Sequence, residues 1–496
     1  MKSKIFFNKA LLAFSLLLFR LPAYADQLEQ DLKSAYLKSK FAETIKDSIE
    51  SSDILYRNVF NKYSFNLYSE ANRNSAEKLN SPQLQRVGRY EQTLDTMTIG
   101  GKYRFINSPL LSSLTLDSNY TIQKSDYQLL DSTFETESNN ARSVSFTVSY
   151  DMIKGGKNEP RYLTSSAEMN DLKANLYKTY KTQRDNYLSF LGAAFGVLVS
   201  NCKLQNLETS LKEIENSEKI FQLGSKIGTY PYKDFLNVKS LKKVVESIYL
   251  SLKIELLNRR QNFTLYGNQA KSTMEKVLLS NNYCDRYLGI EAKANNGLEA
   301  IQFSQSDFNR TLDSHAANSQ IDSSKSKIKS AQINLKPSVQ PFLTYSRSKE
   351  QVLDIEDKRI TLGVKFDWDV ASAYGKATAS SEVFNLKRLG TQYNLLKKQF
   401  ENDVTNLKNK NEVIDLQISN VRSIIDINDE LLKILSTQRS IGKIDSLSLT
   451  NAYINRNQSL NQLYELNAEM ILNNYRYKYL FDWEAFMDSS ESGAMQ

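Results

Sequence analysis

The sequence predicts a mainly α-helical chain with a membrane β-barrel portion, built as an internally duplicated unit of strand, strand and long helical hairpin. Three observations predict it. Two long helical patterns are each broken by a similar short turn, Lys226-Ile227-Gly228-Thr229-Tyr230-Pro231-Tyr232-Lys233-Asp234-Phe235-Leu236 and Ser440-Ile441-Gly442-Lys443-Ile444-Asp445-Ser446-Leu447-Ser448-Leu449-Thr450. Each long pattern follows segments in which apolar and polar residues alternate. An export leader precedes everything.

The leader is residues 1–25. Lys2, Lys4 and Lys9 give a basic start, Ala10 to Phe19 a short apolar core, and Ala23-Tyr24-Ala25 a small-x-small cleavage site. The mature chain is expected to begin at Asp26, which is not the Cys that a lipid-anchored start requires. No other apolar run reaches about 18 residues, so any membrane crossing is expected to be β. The formal charge is +8, but Lys2, Lys4, Lys9 and Arg20 fall in the leader with no acid, leaving +4. That mixed balance gives no nucleic-acid footprint. Gly (17) and Pro (7) are scarce, as long unbroken helices require, and Tyr (28) and Phe (23) are frequent enough to supply interfacial aromatics.

The first repeat is expected over 26–266. Residues 27–58 read as a polar helix, and Tyr63, Phe65 and Leu67 mark a strand at about 62–69. A strand at 143–152 alternates Val144, Phe146, Val148, Tyr150 and Met152 with Ser143, Ser145, Thr147, Ser149 and Asp151. The first set can meet lipid and the second a water-filled lumen. Between these strands, at about 92–122, Met97, Ile99, Tyr103 and Phe105, then Leu114, Leu116, Tyr120 and Ile122, predict an inserted hairpin around Asn107-Ser108-Pro109. It is expected to be accessory and outside the barrel. A helical hairpin over 160–266 follows. Leu204, Leu207, Leu211, Ile214 and Phe221 keep three–four spacing, and Val238, Leu241, Val245, Ile248 and Leu252 continue it after the turn. Gly228 can take positive φ and Pro231 can open the next helix.

Residues 267–303 read as an irregular linker. The second repeat, 304–482, has a helix, strands at about 338–346 and 359–368, and a helical hairpin over 376–481; residues 483–496 form a tail. The strand 359–368 sets Ile360, Leu362, Val364, Phe366 and Trp368 against Thr361, Gly363, Lys365 and Asp367. Its partner carries Val339, Pro341, Leu343 and Tyr345 on one face. Two strands per half give four per chain, too few to close a barrel, and open edges are not tolerated in lipid. Identical copies must then share one wall.

This pattern resembles the TolC-like outer membrane efflux protein family, or outer membrane factors, over essentially the whole mature chain. The turn Ile227-Gly228-Thr229 with Asp234-Phe235-Leu236 is similar to the family's helix-hairpin tip, and Ile441-Gly442 is a second, weaker copy. Ser165-Ser166-Ala167-Glu168-Met169-Asn170 and Ser380-Ser381-Glu382-Val383-Phe384-Asn385 echo each other below the strands. The resemblance implies a homotrimer with a twelve-stranded barrel in the outer membrane of a Gram-negative type envelope and a periplasmic helical tunnel of coiled coils. It implies an exit duct of a tripartite efflux or type I secretion system. That duct would dock through Gly228, Thr229, Asp234, Gly442, Asp445, Ser448 and Asn451 onto a periplasmic adaptor served by an inner-membrane pump of RND or ABC type. Ser448 and Asn451 stand uncharged where the family carries gate carboxylates, and Ile444 stands where it carries a basic residue. Asp234 keeps the first-half acid, with Asp445 nearby. Both acids also suit helix N-termini.

No catalytic chemistry is predicted, and no cofactor or metal. The single histidine, His315, sits in a polar helix and reads as solvated. No phosphate loop or nucleophile elbow is present. Asp354, Glu356 and Asp357 read as a solvated loop cluster. Cys202 reads as a small apolar residue on a helix and Cys284 as part of an irregular segment; in an oxidising compartment their pairing would be unique. The competing class is an exported coiled-coil adhesin or envelope scaffold, which explains the leader and heptads but not the matched amphipathic strands.

Overall fold

A computed structural model describes residues 31–59, 65–79, 89–105, 114–129, 136–279, 283–289, 308–350, 355–368, 373–440 and 446–481. The leader, the linker residues 290–307, Gly442, Asp445 and the tail lie outside them. The elements are α1 Lys40–Asn58, β1 Phe65–Leu79, β2 Arg89–Arg104, β3 Thr115–Leu129, β4 Thr136–Ser149, α2 Pro160–Lys226, α3 Tyr232–Phe263 and α4 Asn268–Leu279. They continue as α5 Leu312–Asn334, β5 Ser338–Glu350, β6 Ile355–Asp367, α6 Ala373–Ser440 and α7 Ser446–Phe481. Residues 31–37 are also helical. The chain divides into two compact units. One comprises Glu50–Tyr177 and His315–Leu395; the other comprises Met1–Ile49, Lys178–Ser314 and Leu396–Gln496.

The first unit holds one six-stranded antiparallel sheet in the order β1-β2-β3-β4-β5-β6. The hairpin expected to be accessory is β2–β3, and it lies inside this sheet. It separates β1 from β4, so β1 pairs with β2, while β4 pairs with β3 and β5. The four strands expected per chain are therefore six. All six strands start or end outside the expected spans; β1 runs on to Leu79 and β4 reaches back to Thr136. The alternation that marked these strands covers only their apolar band, and the polar ends carry no periodic signal. Beside the sheet, Lys327 of α5 pairs with Asp171 of α2 at 2.8 Å, and the Ser330 hydroxyl donates to the Pro160 carbonyl at 3.1 Å.

The second unit is helical. Its core gathers Phe190, Leu191, Leu198, Ile418, Ile425 and Leu463 with Tyr36 and Tyr187, all essentially buried. Tyr36 stacks tilted on Tyr187 at 5.2 Å and donates its hydroxyl hydrogen to the Gln183 carbonyl at 3.0 Å. Below this core Ile214 and Phe221 of α2 meet Val238 and Val245 of α3, the antiparallel pairing that a short turn enforces. α7 joins α2 through polar contacts: Asn206 Nδ2 donates to the Asn457 carbonyl at 2.8 Å, and the Ser217 and Thr450 hydroxyls share a hydrogen bond at 2.8 Å. α2 contains a window long and apolar enough to span a membrane by composition, which the sequence reading had discounted; 56% of that window is buried inside the protein.

Part of the expected linker is helical. Residues Asn268–Leu279 form a helix, and Cys284–Leu288 form a single π-helical turn. Cys284 is bonded to Cys202 of α2 across a separation of 82 residues. The Asn467 amide of α7 donates to the Leu288 carbonyl at 2.7 Å, holding the same turn from a second helix. Closing so long a loop removes much freedom from the unfolded chain. Replacing Cys202 and Cys284 together by Ala is expected to cost about 2–4 kcal/mol. It should also speed amide hydrogen exchange at 283–289 while leaving exchange in α6 unchanged. Equal exchange in oxidised and reduced protein would show that the bond restrains nothing.

Candidate functional site

Two places bear on function: the sheet and the turn between α2 and α3. In the sheet, strand alternation sends successive side chains to opposite faces. Register then builds rows across all six strands. One row is Phe65, Tyr103, Leu116, Val148, Leu343 and Leu362, one apolar residue from each strand. The adjacent row is Asn66, Lys102, Asp117, Thr147, Thr344 and Thr361, all polar. On the inner strands the apolar face is the more exposed one: Ile99 and Val144 are 49% exposed and Phe146 43%, while Thr98, Ser143, Ser145 and Thr147 are half-buried; on the edge strands β1 and β6 both faces are exposed.

The polar face satisfies itself. Thr98 and Thr121 share a hydrogen bond at 3.0 Å, Thr147 and Thr344 another at 2.9 Å, and Ser145 Oγ donates to Asn119 Oδ1 at 2.7 Å. A sheet on a soluble core does the opposite, burying its apolar face and wetting its polar one. So wide a run of exposed apolar surface marks an interaction site.

Where the sheet meets the helices, a cleft of about 500 Å³ is lined by charged groups, among them Lys102, Arg104, Asp151, Lys154, Glu159 and Arg161. Its acids are tied down. Asp151 accepts the Ile153 and Lys154 amides at 3.0 and 2.8 Å and the Ser338 hydroxyl at 2.6 Å. Burial opposes charge on Asp151, but the Ser338 hydroxyl, the two amides and Gln340 outweigh it and hold the carboxyl below its ordinary range. Glu159 caps α2 by accepting the Tyr162 amide, and its burial raises its pKa despite that bond. The sequence placed Asp151 only on a strand's polar face. Its clamp on Ser338 joins residues 187 apart and leaves no local signal.

At the α2–α3 turn Gly228 has φ +74°, a conformation that costs a side-chain-bearing residue about 1–2 kcal/mol. The Thr229 amide donates to the Gly224 carbonyl at 2.8 Å, which satisfies one of the last free carbonyls of α2. Tyr230 folds back over Gly224 so closely that an added Cβ would lie 2.1 Å from its ring, and it packs on Phe221 at 4.9 Å. Asp234 lies in the first turn of α3, where an acid is stabilised by the free amides.

No protein-family model and no curated protein matches the chain. Solved structures do. The chain is similar to the outer membrane protein VceC from Vibrio cholerae, with TM-score 0.58 and 12% identity over 91% of this chain and 94% of that one. It is similar to CusC with TM-score 0.59 and 11% identity, over 92% of each chain. It is also similar to the outer membrane channel CmeC from Campylobacter jejuni, with TM-score 0.55 and 11% identity over 93% of this chain and 90% of that one. The chain has the TolC-like outer membrane channel fold.

Within that fold the strand residues singled out from sequence come together on one face. Val144, Phe146 and Val148 of β4 and Ile360, Leu362, Val364 and Phe366 of β6 share the apolar side of the sheet. Tyr150 and Trp368 lie just beyond the strand ends, and the Trp368 indole donates to the Leu335 carbonyl at 3.3 Å. Gly228 and Thr229 form the turn, and Asp234 lies in the first turn of α3. Ser448 and Asn451 are exposed at the start of α7, and Gly442 and Asp445 lie outside the described residues. Sequence reasoning missed Gly224 and Tyr230; a glycine six residues before a tyrosine around a positive-φ glycine was the available signal.

Two sequence expectations are corrected. His315 is half-buried and stacks on Tyr177 at 5.1 Å. Glu356 and Asp357 belong to β6 and not to a loop; Glu356 pairs with Arg347 at 2.5 Å and Asp357 with Arg359 at 3.4 Å. Among the described residues no cluster could hold a metal ion.

Gly224→Ala is expected to push the Tyr230 ring off the helix and loosen the turn, and Gly228→Ala to strain its backbone. Each should cost about 1–2 kcal/mol, read as faster proteolysis at 226–232. Tyr230→Ala in the Gly224→Ala background should add little, because the ring is already displaced; additive losses would show that the two do not act through one contact.

Proposed function

We propose that the protein is the outer membrane exit duct of a tripartite efflux or type I secretion system, a passive conduit and not an enzyme. The observation that carries this reading is the inverted sheet: an exposed apolar face backed by a self-bonded polar one. Hydrocarbon suits the first and a wet lumen the second. Lipid-facing residues are then Val144, Phe146, Val148, Tyr150, Ile360, Leu362, Val364, Phe366 and Trp368. Trp368 and Tyr150, at the strand ends, suit an interfacial aromatic girdle.

A single sheet with two free edges cannot persist in lipid, so copies join, as a homotrimer by likeness to the TolC-like fold. The helical unit supports this. α6 leaves Leu416 (72%), Ile427 (64%) and Ile434 (55%) exposed, and α3 leaves Ile254 (60%) exposed; neighbouring copies would cover them. The strand–strand–helical-hairpin order occurring twice fits a duplicated unit. The turn at Gly228 and Thr229, with its counterpart at Gly442, is proposed as the docking tip for a periplasmic adaptor and an inner-membrane pump of RND or ABC type. The leader directs export, and no nucleic-acid partner is proposed.

The protein is expected to fractionate with outer membranes, to run as an oligomer in mild detergent and to open steady conductances in planar bilayers. A detergent-free, soluble monomer would sink the reading. At the tip, Asp234 and Asp445 are proposed to line the entrance with Ser448 and Asn451. Asp234→Ala plus Asp445→Ala should lower the permeability ratio of cations to anions, and an unchanged ratio would reassign both acids to helix capping.

A further inference from the structure

We infer that β2 and β3 are themselves membrane-spanning staves of the wall, so that each copy supplies six strands and the seam between copies runs along β1 and β6. The inference rests on the exit-duct reading and deepens it.

The hairpin is not appended to the sheet. It is the only partner of β1 among the described residues, since β1 pairs with β2 alone. Without it β1 would have no connection to β4. A side-chain brace crosses it as well. The Tyr68 ring of β1 lies over Gly100 of β2, where an added Cβ would come within 2.5 Å of it, and its hydroxyl donates to Asp117 Oδ1 of β3 at 2.9 Å. The sheet's other end repeats the device, with Phe342 of β5 lying over Gly363 of β6 at the same 2.5 Å.

The hairpin also carries both faces of the wall in register. Tyr103 and Leu116 complete the apolar row between Phe65 and Val148, and Lys102 and Asp117 complete the polar row between Asn66 and Thr147. Two rows further along the same face, past Gly101 and Ser118, Ile99 and Tyr120 stand beside Val144. All three are exposed. A hairpin standing in water above a barrel has no use for an apolar row aligned with lipid-facing neighbours, because water would penalise it. β2 and β3, at 16 and 15 residues, also exceed the roughly nine to eleven that a tilted crossing needs.

The consequence is width. Three copies of a six-stranded sheet close eighteen strands, not the twelve expected from two strands per half. Barrel diameter grows roughly linearly with strand number, and walls of about 16–18 strands enclose an aqueous channel. The exit is therefore wide, and its polar lining, with Lys102 and Asp117 among threonine, serine and asparagine and the Tyr68 and Phe342 rings as the larger groups, suits hydrated cargo.

The test is spin-label accessibility in proteoliposomes of the full chain. Cys202 and Cys284 are paired with each other and do not take the label. Single cysteines replace Ile99, Tyr120, Thr98 and Asn119, with Phe146 and Thr147 of β4 as reference positions. Tyr103 and Leu116 serve as a second lipid-facing pair if a first-choice variant fails to assemble. Labels at 99 and 120 are expected to match 146, relaxed by oxygen more than by a water-soluble nickel chelate. Labels at 98 and 119 are expected to match 147, with the order reversed. Nickel-dominated relaxation at 99, 120, 103 and 116 while 146 stays oxygen-dominated would overturn the inference and leave the exit duct standing. Nickel dominance at 146 as well would overturn both.

Discussion

Under the exit-duct reading one constraint governs the sheet: hydrocarbon accepts no unsatisfied backbone amide. A sheet that exposes apolar side chains on one face and bonds polar ones on the other is stable only where lipid meets the first face. In lipid its two free edges would also need partners from other copies. Everything else can be read as service to that wall. Asp151 pins the end of β4 to the start of β5 through Ser338, and α2 begins at Pro160, nine residues after Asp151.

The helical unit meets a different demand. Its helices are too long for one compact core to cover. The chain uses a concentrated core around Phe190, Leu198 and Leu463, a second cluster around Ile214 and Val238, and a polar seam of Asn206, Asn457, Ser217 and Thr450 between α2 and α7. Buried polar contacts of this kind fix register more than they add stability. The disulfide and the Asn467 bonds hold the turn at 283–289 against α2 and α7, together with the burial of Tyr283 and Leu288 in the main core.

Much of this was legible in the sequence. Heptad spacing located α2, α3, α6 and α7 to within a few residues, because a helix face is a local, repeating signal. Alternation located the apolar bands of all six strands for the same reason, including Met97, Ile99, Tyr120 and Ile122. Gly228 announced the turn, since a sharp reversal between two helices demands positive φ. What failed were judgements about partners. The strand at 62–69 was paired across the hairpin because two halves invited a symmetrical reading, and the pairing of Cys202 with Cys284 stayed open beside the reading of Cys202 as a small apolar residue.

The sequence by itself determined periodicity: which stretches are helical and which are amphipathic strands. Only the tertiary structure decided neighbours. It put β2 and β3 in the middle of the sheet, aligned Phe65 with Leu362 through four intervening strands, joined Cys202 to Cys284 and laid Tyr230 on Gly224. The physical reason is range. Periodicity is set by backbone geometry within a few residues, whereas strand order and cross-links are set by contacts between residues far apart in the chain, which no local pattern encodes.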